Sequence, residues 1–441
     1  MLFNNVIEPS YVAYQERRSN VVKAIQKAYP DVKKGFVFFF AAFEDPDIVF
    51  RQESTFYYFS GIDIGDLAIS IDISNQESCL YIPNCVEERK KWCGGALEPT
   101  SQEAQRFSFG KIETVGQKIN GFRLCPYFDK SAYENLLSAI SDVIKNNGKI
   151  FVLNPNNPCQ YFEQRFILNR IKSFLPELTD AKIIDISEIV TKMRRKKNIF
   201  DIGKISNAIN LTALAHEAAA GMIEDGALES EVQAAAEYIF TGACAKTAYP
   251  SIVVSGKNAT ILHYQSNCDQ MNYGELILID IGAKLDHYCA DITRTYPVSG
   301  QFDERQCELY NIVLEAQKYI AELAKPGYYL RNEDQKDKSL THLALAFFAE
   351  KGGYDKYFTH SIGHFLGLDV HDVGSLKSPL QEGDVITIEP GLYIPDEKIG
   401  IRIEDNYWIA KDHAICLSDM IPKEIEEVEA FMKEGIKQDS L

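Results

Sequence analysis

The chain has 441 residues, of which 46% are hydrophobic and 25% are charged, and its formal net charge at pH 7 is −17. This length accommodates two domains and a large core, while the acidic balance argues against nucleic acid or an anionic membrane as the main partner, because both select a positive surface. Since the first 20 residues lack the apolar stretch of a signal peptide and the ten cysteines form no C-x-x-C pair, we expect a soluble cytoplasmic protein with reduced thiols.

The first part of the chain, residues 1–190, alternates helical and strand patterns. It contains a predicted capping box, formed by Ser131 and Glu134, at the start of a helix that ends near Gly148. A helix is predicted over residues 11–28, and strands are predicted over residues 36–43, 67–73, 79–82 and 150–153. This alternation predicts a smaller N-terminal α/β domain over residues 1–190, without a recognisable chemical site.

A dense basic cluster, KMRRKKN at residues 192–198, marks the predicted domain boundary. We interpret it as a solvated helix face or linker, with a localisation signal as the alternative. The helices predicted beyond it cover residues 198–223, 230–241, 303–324, with Asp303 and Gln306 as a cap, and 340–350. Because strand pairs lie between these helices, residues 195–441 are predicted to form an α+β domain.

Two aspartates stand out in the apolar stretch LILIDIGAKLDHYCADITRTY, residues 276–296. Asp280 lies inside a run typical of a buried strand, where an ionised carboxylate is costly unless a cation or hydrogen-bond donors compensate it. A hairpin with its turn near Leu285 and Asp286 would place Asp280 directly opposite Asp291. This stretch alone leaves open whether the two carboxylates are structural or bind metal.

A second hairpin with a similar pattern is predicted in TIEPGLYIPDEKIGIRIED, residues 387–405. A turn centred between Asp396 and Glu397 places Glu389 opposite Glu404. The segments IDIG and IEPG also resemble each other, which indicates either a weak internal repeat or a chance similarity of two short strands.

Histidines are concentrated between the hairpins, in THSIGHFLGLDVHDVG, residues 359–374. His360, His364 and His371 lie within twelve residues, and His263 follows an apolar stretch earlier in the chain. Four carboxylates with one imidazole form an oxygen-rich ligand set, which favours Mn, Fe or Co and does not exclude Zn. Carboxylates can bridge two metal ions, so this pattern predicts a dinuclear hydrolase centre.

At this point the sequence resembles the pita-bread metallopeptidases, and among them the proline-specific branch of aminopeptidase P and prolidase. The resemblance covers nearly the whole chain. Its motifs are SIVVSGKNATILHY, LILIDIG, ADITRTY, HSIGHFLGLDVHDVG, TIEPGLY and GIRIED, together with FRQESTFYYFSG at residues 50–61. It implies an α+β fold with a C-terminal pita-bread catalytic domain and an N-terminal domain of the aminopeptidase P type. A Trp-x-Gly stretch of the family is matched at Trp92, but Gly95 and Ala96 stand where arginines often follow, which puts a substrate-gripping role for this segment in doubt.

The resemblance implies a role for each matching site residue. The metal ligands would be Asp280, Asp291, His364, Glu389 and Glu404. They would hold two divalent ions, most simply Mn²⁺, with Co, Fe or Zn as alternatives, and a hydroxide bridging them. Glu389 would also accept a proton, while His263, His360 and His371 would orient the scissile carbonyl and stabilise the oxyanion. The substrate would be held by His263, His371, Tyr393 and Arg402, of which the last three would line a proline pocket.

The resemblance therefore implies a metal-dependent Xaa-Pro aminopeptidase that acts on peptides with proline in second position, and a homodimer. Prolidase, which takes Xaa-Pro dipeptides, is the alternative of the same class. A catalytically inactive pita-bread binding module is the alternative of another class, but such modules typically lose metal ligands, and all five are intact here.

Overall fold

The structure is a computed structural model that describes residues 11–45, 47–125, 128–157 and 160–438, with side chains to residue 433. It divides into two compact units, Met1–Arg194 and Arg195–Leu441. Among the described residues, no helix is both long enough and apolar enough to cross a membrane.

The N-terminal unit is built around one mixed six-stranded sheet. Its strands are β1 (Gly35–Phe40), β2 (Ala68–Asp72), β3 (Ser78–Ile82), β4 (Lys111–Thr114), β5 (Lys149–Val152) and β6 (Ile183–Asp185), in the order β4-β3-β2-β1-β5-β6. Its helices are α1 (Val12–Ala28), α2 (Ser54–Ser60), α3 (Val86–Cys93), α4 (Ser101–Arg106), α5 (Glu134–Lys145), α6 (Phe162–Phe174) and α7 (Ser187–Arg195), the last reaching the unit boundary. The parallel pairs β1–β5, β5–β6 and β3–β4 make this the α/β layer predicted from the sequence.

The aromatic run of β1 is buried on both faces of the sheet. Phe38 and Phe40 pack in a core with residues of α5 and α6, whereas Phe39 stacks on Phe59 of α2 on the other face, with 4.2 Å between ring centroids. A strand covered on both sides needs apolar residues at successive positions, which explains the continuous hydrophobic run.

The predicted capping box at Ser131 is wrong. Residues Lys130–Tyr133 form a short 3₁₀ helix, and the side chain that caps it is Asp129, which accepts from the backbone N–H of Ser131. Helix α5 then begins at Glu134 without a side-chain cap of its own. The carbonyl groups of the 3₁₀ turn directly precede α5 and can accept hydrogen bonds from its first N–H groups, so the serine side chain is not needed as a cap.

The C-terminal unit combines long helices with short antiparallel sheets. Its helices are α8 (Ile199–Ala220), α9 (Glu229–Gly242), α10 (Glu304–Leu323), α11 (Leu340–Glu350) and α12 (Ile425–Gln438). Its strands are β7 (Lys246–Thr247), β8 (Ile252–Ser255), β9 (Leu276–Ile281), β10 (Ala283–Leu285), β11 (Tyr288–Cys289), β12 (Ile292–Pro297), β13 (Val385–Ile388), β14 (Gly391–Ile394), β15 (Ile399–Arg402), β16 (Asp405–Ile409) and β17 (Ala414–Cys416). The sheets that carry the two acidic hairpins are β12-β9-β8, β13-β16-β17 and β14-β15. The predicted cap of α10 by Asp303 and Gln306 is confirmed as a capping box.

The basic cluster at residues 192–198 is not a solvated face throughout. Arg195 forms a buried ion pair with Asp384 at 2.5 Å, and Lys197 forms another with Asp372 at 2.8 Å. Within the N-terminal unit, Arg194 donates to the hydroxyl of Thr55 at 3.0 Å. Charge density alone could not reveal these partners, because they lie about 180 residues further along the chain or about 140 residues before it.

Candidate metal centre

The first acidic hairpin is formed by β9 and β12, but its register differs from the predicted one. Asp280 pairs with Thr293, not with Asp291. The turn lies one residue further along than predicted, because Asp286 and His287 both adopt positive φ between the paired residues Leu285 and Tyr288. The residue opposite Asp280 thus changes by two positions, from 291 to 293. Because side chains alternate along a strand, Asp291 stays on the face of the sheet that Asp280 occupies.

The second hairpin has the predicted register. Gly391 pairs with Arg402 and Ile388 with Asp405, so Glu389 and Glu404 face each other at the junction between the β13–β16 and β14–β15 pairs. The turn closes through the N–H of Lys398, which donates to the carbonyl of Pro395 at 3.1 Å. This confirms the position of the turn between Asp396 and Glu397.

The two hairpins are joined directly at the site. The side-chain amide of Asn406 accepts from the backbone N–H of Asp291 at 3.2 Å and donates to the carbonyl of the same residue at 2.5 Å. The hydroxyl of Thr293 donates to Oε2 of Glu404 at 2.7 Å, and the backbone N–H of Glu404 donates to the carbonyl of Thr293 at 3.1 Å. One hairpin therefore fixes an acidic residue of the other.

These contacts bring the predicted ligands together. Asp291, His364 and Glu404 each present a ligand atom within 4.8 Å of the other two. Nε2 of His364 lies 3.2 Å from Oδ2 of Asp291 and 3.6 Å from Oε1 of Glu389. All five predicted ligands, including Asp280, line one cavity of about 590 Å³.

The carboxylates of this cluster carry more negative charge than the protein around them balances. Burial raises the pKa of Glu404 well above its ordinary value, and the charges of Asp291, Glu389 and Asp280 raise it further. Burial also raises the pKa of Glu389 to about 7. Burial lowers the pKa of the His364 imidazole, but the hydrogen bond to Asp291 and the charges of Asp291 and Glu389 outweigh it and raise that pKa to about 9.

One carboxylate oxygen identifies where a positive charge would be stabilised. Oε1 of Glu404 is buried and has no hydrogen-bond partner among the described residues, although such a group is costly to leave unsatisfied. Four carboxylates and one imidazole around this oxygen form a hard, oxygen-rich donor set. The residues therefore fit divalent cations.

Three further histidines surround the cluster. The imidazole of His371 packs edge-on against that of His364, with 4.3 Å between centroids. His360 bonds through Nδ1 to the carbonyl of Ser361 at 2.8 Å and through Nε2 to the Tyr393 hydroxyl at 2.9 Å. Burial, and then the charge of Arg402, lowers the pKa of His360 to about 4, so its imidazole is neutral. His263 lines the cavity and is exposed to solvent.

Arg402 connects the acidic cluster to the predicted proline pocket. It donates to Oδ2 of Asp280 at 2.5 Å, to the Tyr393 hydroxyl at 3.0 Å and to the Thr293 hydroxyl at 3.0 Å. Arg402 also lines the cavity, while Tyr393 is buried beside it. The guanidinium thus fixes a carboxylate and a tyrosine at the same time.

Sequence reasoning missed several residues that hold the site. Tyr249 donates to Oδ1 of Asp280 at 2.6 Å, and Thr387 donates to Oε1 of Glu389 at 3.2 Å. Thr293 and Asn406 join the hairpins. Thr293 and Thr387 lie two residues from a predicted ligand and Asn406 lies two residues after one, so strand alternation could have placed them on the same face. Tyr249 lies in a separate segment, and the sequence carries no comparable signal for it.

Comparisons with known proteins agree with this arrangement. Residues 203–411 match the model of metallopeptidase family M24, and residues 14–117 match that of the aminopeptidase P N-terminal domain. An Xaa-Pro aminopeptidase of Escherichia coli K12 is 31% identical over 98% of this chain and 100% of that protein. An Xaa-Pro aminopeptidase of Haemophilus influenzae is 36% identical over 57% of this chain and 64% of that protein.

A solved structure has the same fold. Aminopeptidase P from Escherichia coli with the inhibitor Pro-Leu superposes with a TM-score of 0.80 and 27% identity, covering 98% of this chain and 100% of that one. The expected architecture, an aminopeptidase P type N-terminal domain and a pita-bread domain, is confirmed. The chain belongs to metallopeptidase family M24, in its aminopeptidase P branch.

Proposed function

We propose that this protein is a metal-dependent Xaa-Pro aminopeptidase, which releases the first residue from peptides with proline in second position. The observation that carries the proposal is the acidic cluster at the cavity, in which Glu404 retains an unpartnered oxygen beside Asp291 and His364. The full-length relationship to an Xaa-Pro aminopeptidase supports the choice of substrate.

Two divalent ions would be held by Asp280, Asp291, His364, Glu389 and Glu404. Bound there, such ions supply Lewis-acid polarisation and lower the pKa of water towards about 7. We take Mn²⁺ as the resident ion, with Co, Fe or Zn as alternatives, because carboxylate ligands predominate. The positions of Asp280 and Glu404 are maintained by Arg402, Tyr249 and Thr293, so the donors are oriented before an ion binds.

The protein groups around the cluster have distinct proposed tasks. Glu389, which lies at the cavity beside His364, accepts the proton of the attacking water. His263, His360 and His371 orient the scissile carbonyl and stabilise the oxyanion. Nδ1 of His360 faces the carbonyl of Ser361, so the neutral imidazole carries its hydrogen on Nδ1 and its Nε2 accepts from the Tyr393 hydroxyl; donation from Nε2 to an oxyanion requires the other tautomer.

The substrate requires a pocket for the proline ring. The amide before proline has no N–H, so an enzyme that recognises its substrate through a hydrogen bond from that N–H cannot bind this peptide bond in the same way. His371, Tyr393 and Arg402 are proposed to line the pocket for the ring. Because Arg402 holds the Tyr393 hydroxyl, the pocket wall is rigid before the peptide enters.

The assembly and the compartment are further parts of the proposal. A homodimer and a cytoplasmic location follow the expectations from the sequence. Sedimentation of the purified protein tests the first, and imaging of the tagged protein in its native cell tests the second. Monomeric protein at micromolar concentration would contradict the dimer.

The decisive experiment offers the manganese-loaded protein an Xaa-Pro dipeptide beside an Xaa-Pro-Xaa tripeptide. We expect cleavage of the tripeptide after its first residue, and loss of that activity on chelation. Turnover of the dipeptide alone would indicate a prolidase. Less than one equivalent of metal after manganese loading, without chelator-sensitive peptidase activity, would indicate a binding module.

A further inference from the structure

Lys197, a buried residue of the basic cluster, contacts the histidine segment of the site at Asp372. Nζ of Lys197 donates to Oδ2 of Asp372 at 2.8 Å, and the two side chains are 3% and 2% exposed. Asp372 follows His371 in the chain. The lysine comes from the stretch that precedes α8, so a residue 175 positions away in sequence anchors Asp372, the residue beside a site histidine.

The surrounding backbone leaves the ion pair little freedom. The N–H of Asp372 donates to the carbonyl of Phe365 at 2.9 Å. Gly367 packs so closely that an added Cβ would lie 2.2 Å from Oδ2 of Asp372 and 2.9 Å from Cε of Lys197. The two ends of the loop from Phe365 to Asp372 are therefore joined by a backbone hydrogen bond, and the ion pair with Lys197 holds the loop in place.

His371 is the site histidine next to the anchored Asp372. It is exposed and lines the cavity, and its ring packs edge-on against that of His364. Among the described residues its imidazole forms no hydrogen bond, whereas those of His360 and His364 each bond to a backbone carbonyl. The orientation of His371 is therefore set by this packing and by its backbone, which the N–H of Asp372 ties to the carbonyl of Phe365.

We propose that Lys197 is a positioning residue, which holds His371 in its working orientation through the buried ion pair with Asp372. A buried ion pair is weak evidence for stability, because well-packed neutral residues can often replace it without loss. Its geometric effect is stronger, since displacing a substrate-orienting group by about 1 Å can reduce turnover by about 100-fold. The inference rests on the proposed function only through the task of His371.

The test removes both charges together, so that neither is left buried alone. In Lys197→Met/Asp372→Asn the aspartate shape is retained beside Gly367. We expect the manganese-loaded variant to keep the metal content and unfolding midpoint of the wild type, with kcat/KM for an Xaa-Pro-Xaa tripeptide reduced about 10- to 100-fold. The division of the loss between kcat and KM should match that of His371→Ala. Lys197→Met/Asp372→Leu is the second variant if the first does not fold.

A double-mutant cycle with His371→Ala separates positioning from a general structural effect. In the His371→Ala background, removal of the ion pair should change kcat/KM by less than about twofold. Lys204→Met is the matched control, because Lys204 pairs with Asp286 on the exposed side of the same region. It should leave kcat/KM unchanged.

The outcomes are distinct. An equal loss in the presence and absence of His371, or no loss at all in an active protein, would overturn the positioning role. A wild-type protein that cleaves no Xaa-Pro peptide would instead overturn the proposed function.

Discussion

Two neighbouring acidic residues, Glu404 and Asp405, are both buried in the C-terminal unit but have opposite electrostatic surroundings. Asp405 accepts from Arg294 and Ser418 at Oδ1, and from Lys423 and Gln317 at Oδ2. Burial alone would raise its pKa, but the charges of Arg294 and Lys423 lower it below the ordinary value. Glu404 has one hydroxyl donor and an unpartnered oxygen, and its pKa is raised.

The difference separates a structural carboxylate from one that awaits a cation. A buried charge that serves the fold is paired by protein groups. A buried charge that serves a metal centre keeps lone pairs free and leaves the local charge unbalanced. Because side chains alternate along a strand, the two residues point to opposite sides of the same segment. Asp405 faces the buried side chains of Arg294 and Lys423, and Glu404 faces the cavity.

The largest effect is expected for Glu404→Gln, which removes a charge on the cavity side. Peptidase activity should fall by at least about 1,000-fold, since several kcal/mol of transition-state stabilisation depend on the metal centre. The free energy of unfolding of the metal-free protein should change by less than about 1 kcal/mol. Steady-state kinetics with manganese and urea denaturation without it are the measurements. Activity within tenfold of the wild type would contradict this assignment.

Asp405→Asn, on the core side, should have the opposite result. It leaves Arg294 and Lys423 buried without their carboxylate, which should lower the free energy of unfolding by about 3–5 kcal/mol. Urea denaturation of the two variants in parallel provides the comparison. If Asp405→Asn unfolded like the wild type, the contrast between structural and functional carboxylates would fail at this position.

Added metal should stabilise the protein by an amount that rises with the logarithm of the free metal concentration above Kd. At a free Mn²⁺ concentration of 100 times Kd, the free energy of unfolding should rise by about 2.7 kcal/mol for each ion bound. Glu404→Gln should show a much smaller rise, because a ligand is lost, whereas Lys204→Met should respond as the wild type does. Thermal unfolding with increasing Mn²⁺ measures this, and an equal rise in Glu404→Gln would contradict it.

A third buried carboxyl, Asp66 in the N-terminal unit, extends the comparison to pH. It accepts from the N–H of Leu124, its other oxygen has no partner among the described residues, and burial raises its pKa to about 7. The folded state therefore binds a proton that the unfolded state releases above about pH 4. Its contribution to stability is complete at low pH and is lost as the pH rises through about 7.

For this acid, Asp66→Asn should reduce the fall in unfolding free energy between pH 5 and pH 8 by about 2 kcal/mol. Urea denaturation of the wild type and the variant at both pH values measures the change. An identical pH dependence in the two proteins would show that Asp66 is ionised when folded.

The sequence predicted the second hairpin to the residue but misplaced the first. Pro395 to Lys398 is a turn whose centre can be read from residue types. The first turn uses Asp286 and His287 at positive φ, and no glycine marks it. The predicted turn centre, at Leu285 and Asp286, therefore lies one residue too early in the chain. The acidic and histidine residues were recognisable by their types and by a family resemblance.

Long-range partners could not be read in the same way. The pairs of Lys197 with Asp372 and of Arg195 with Asp384 connect residues that only tertiary packing brings together. A cluster of like charges is most often solvated, and nothing in its composition distinguishes a lysine that will be buried from one that will not.

The clamp of Asn406 on the backbone of Asp291 has a consequence for folding. The donor set at the cavity spans residues 280–404 and is complete only after both hairpins have docked, since a residue of the second hairpin fixes Asp291 of the first. Contacts at such sequence separations form late, because a long loop must close first. We therefore expect metal binding to follow the docking of the two hairpins, because the complete donor set does not exist before it.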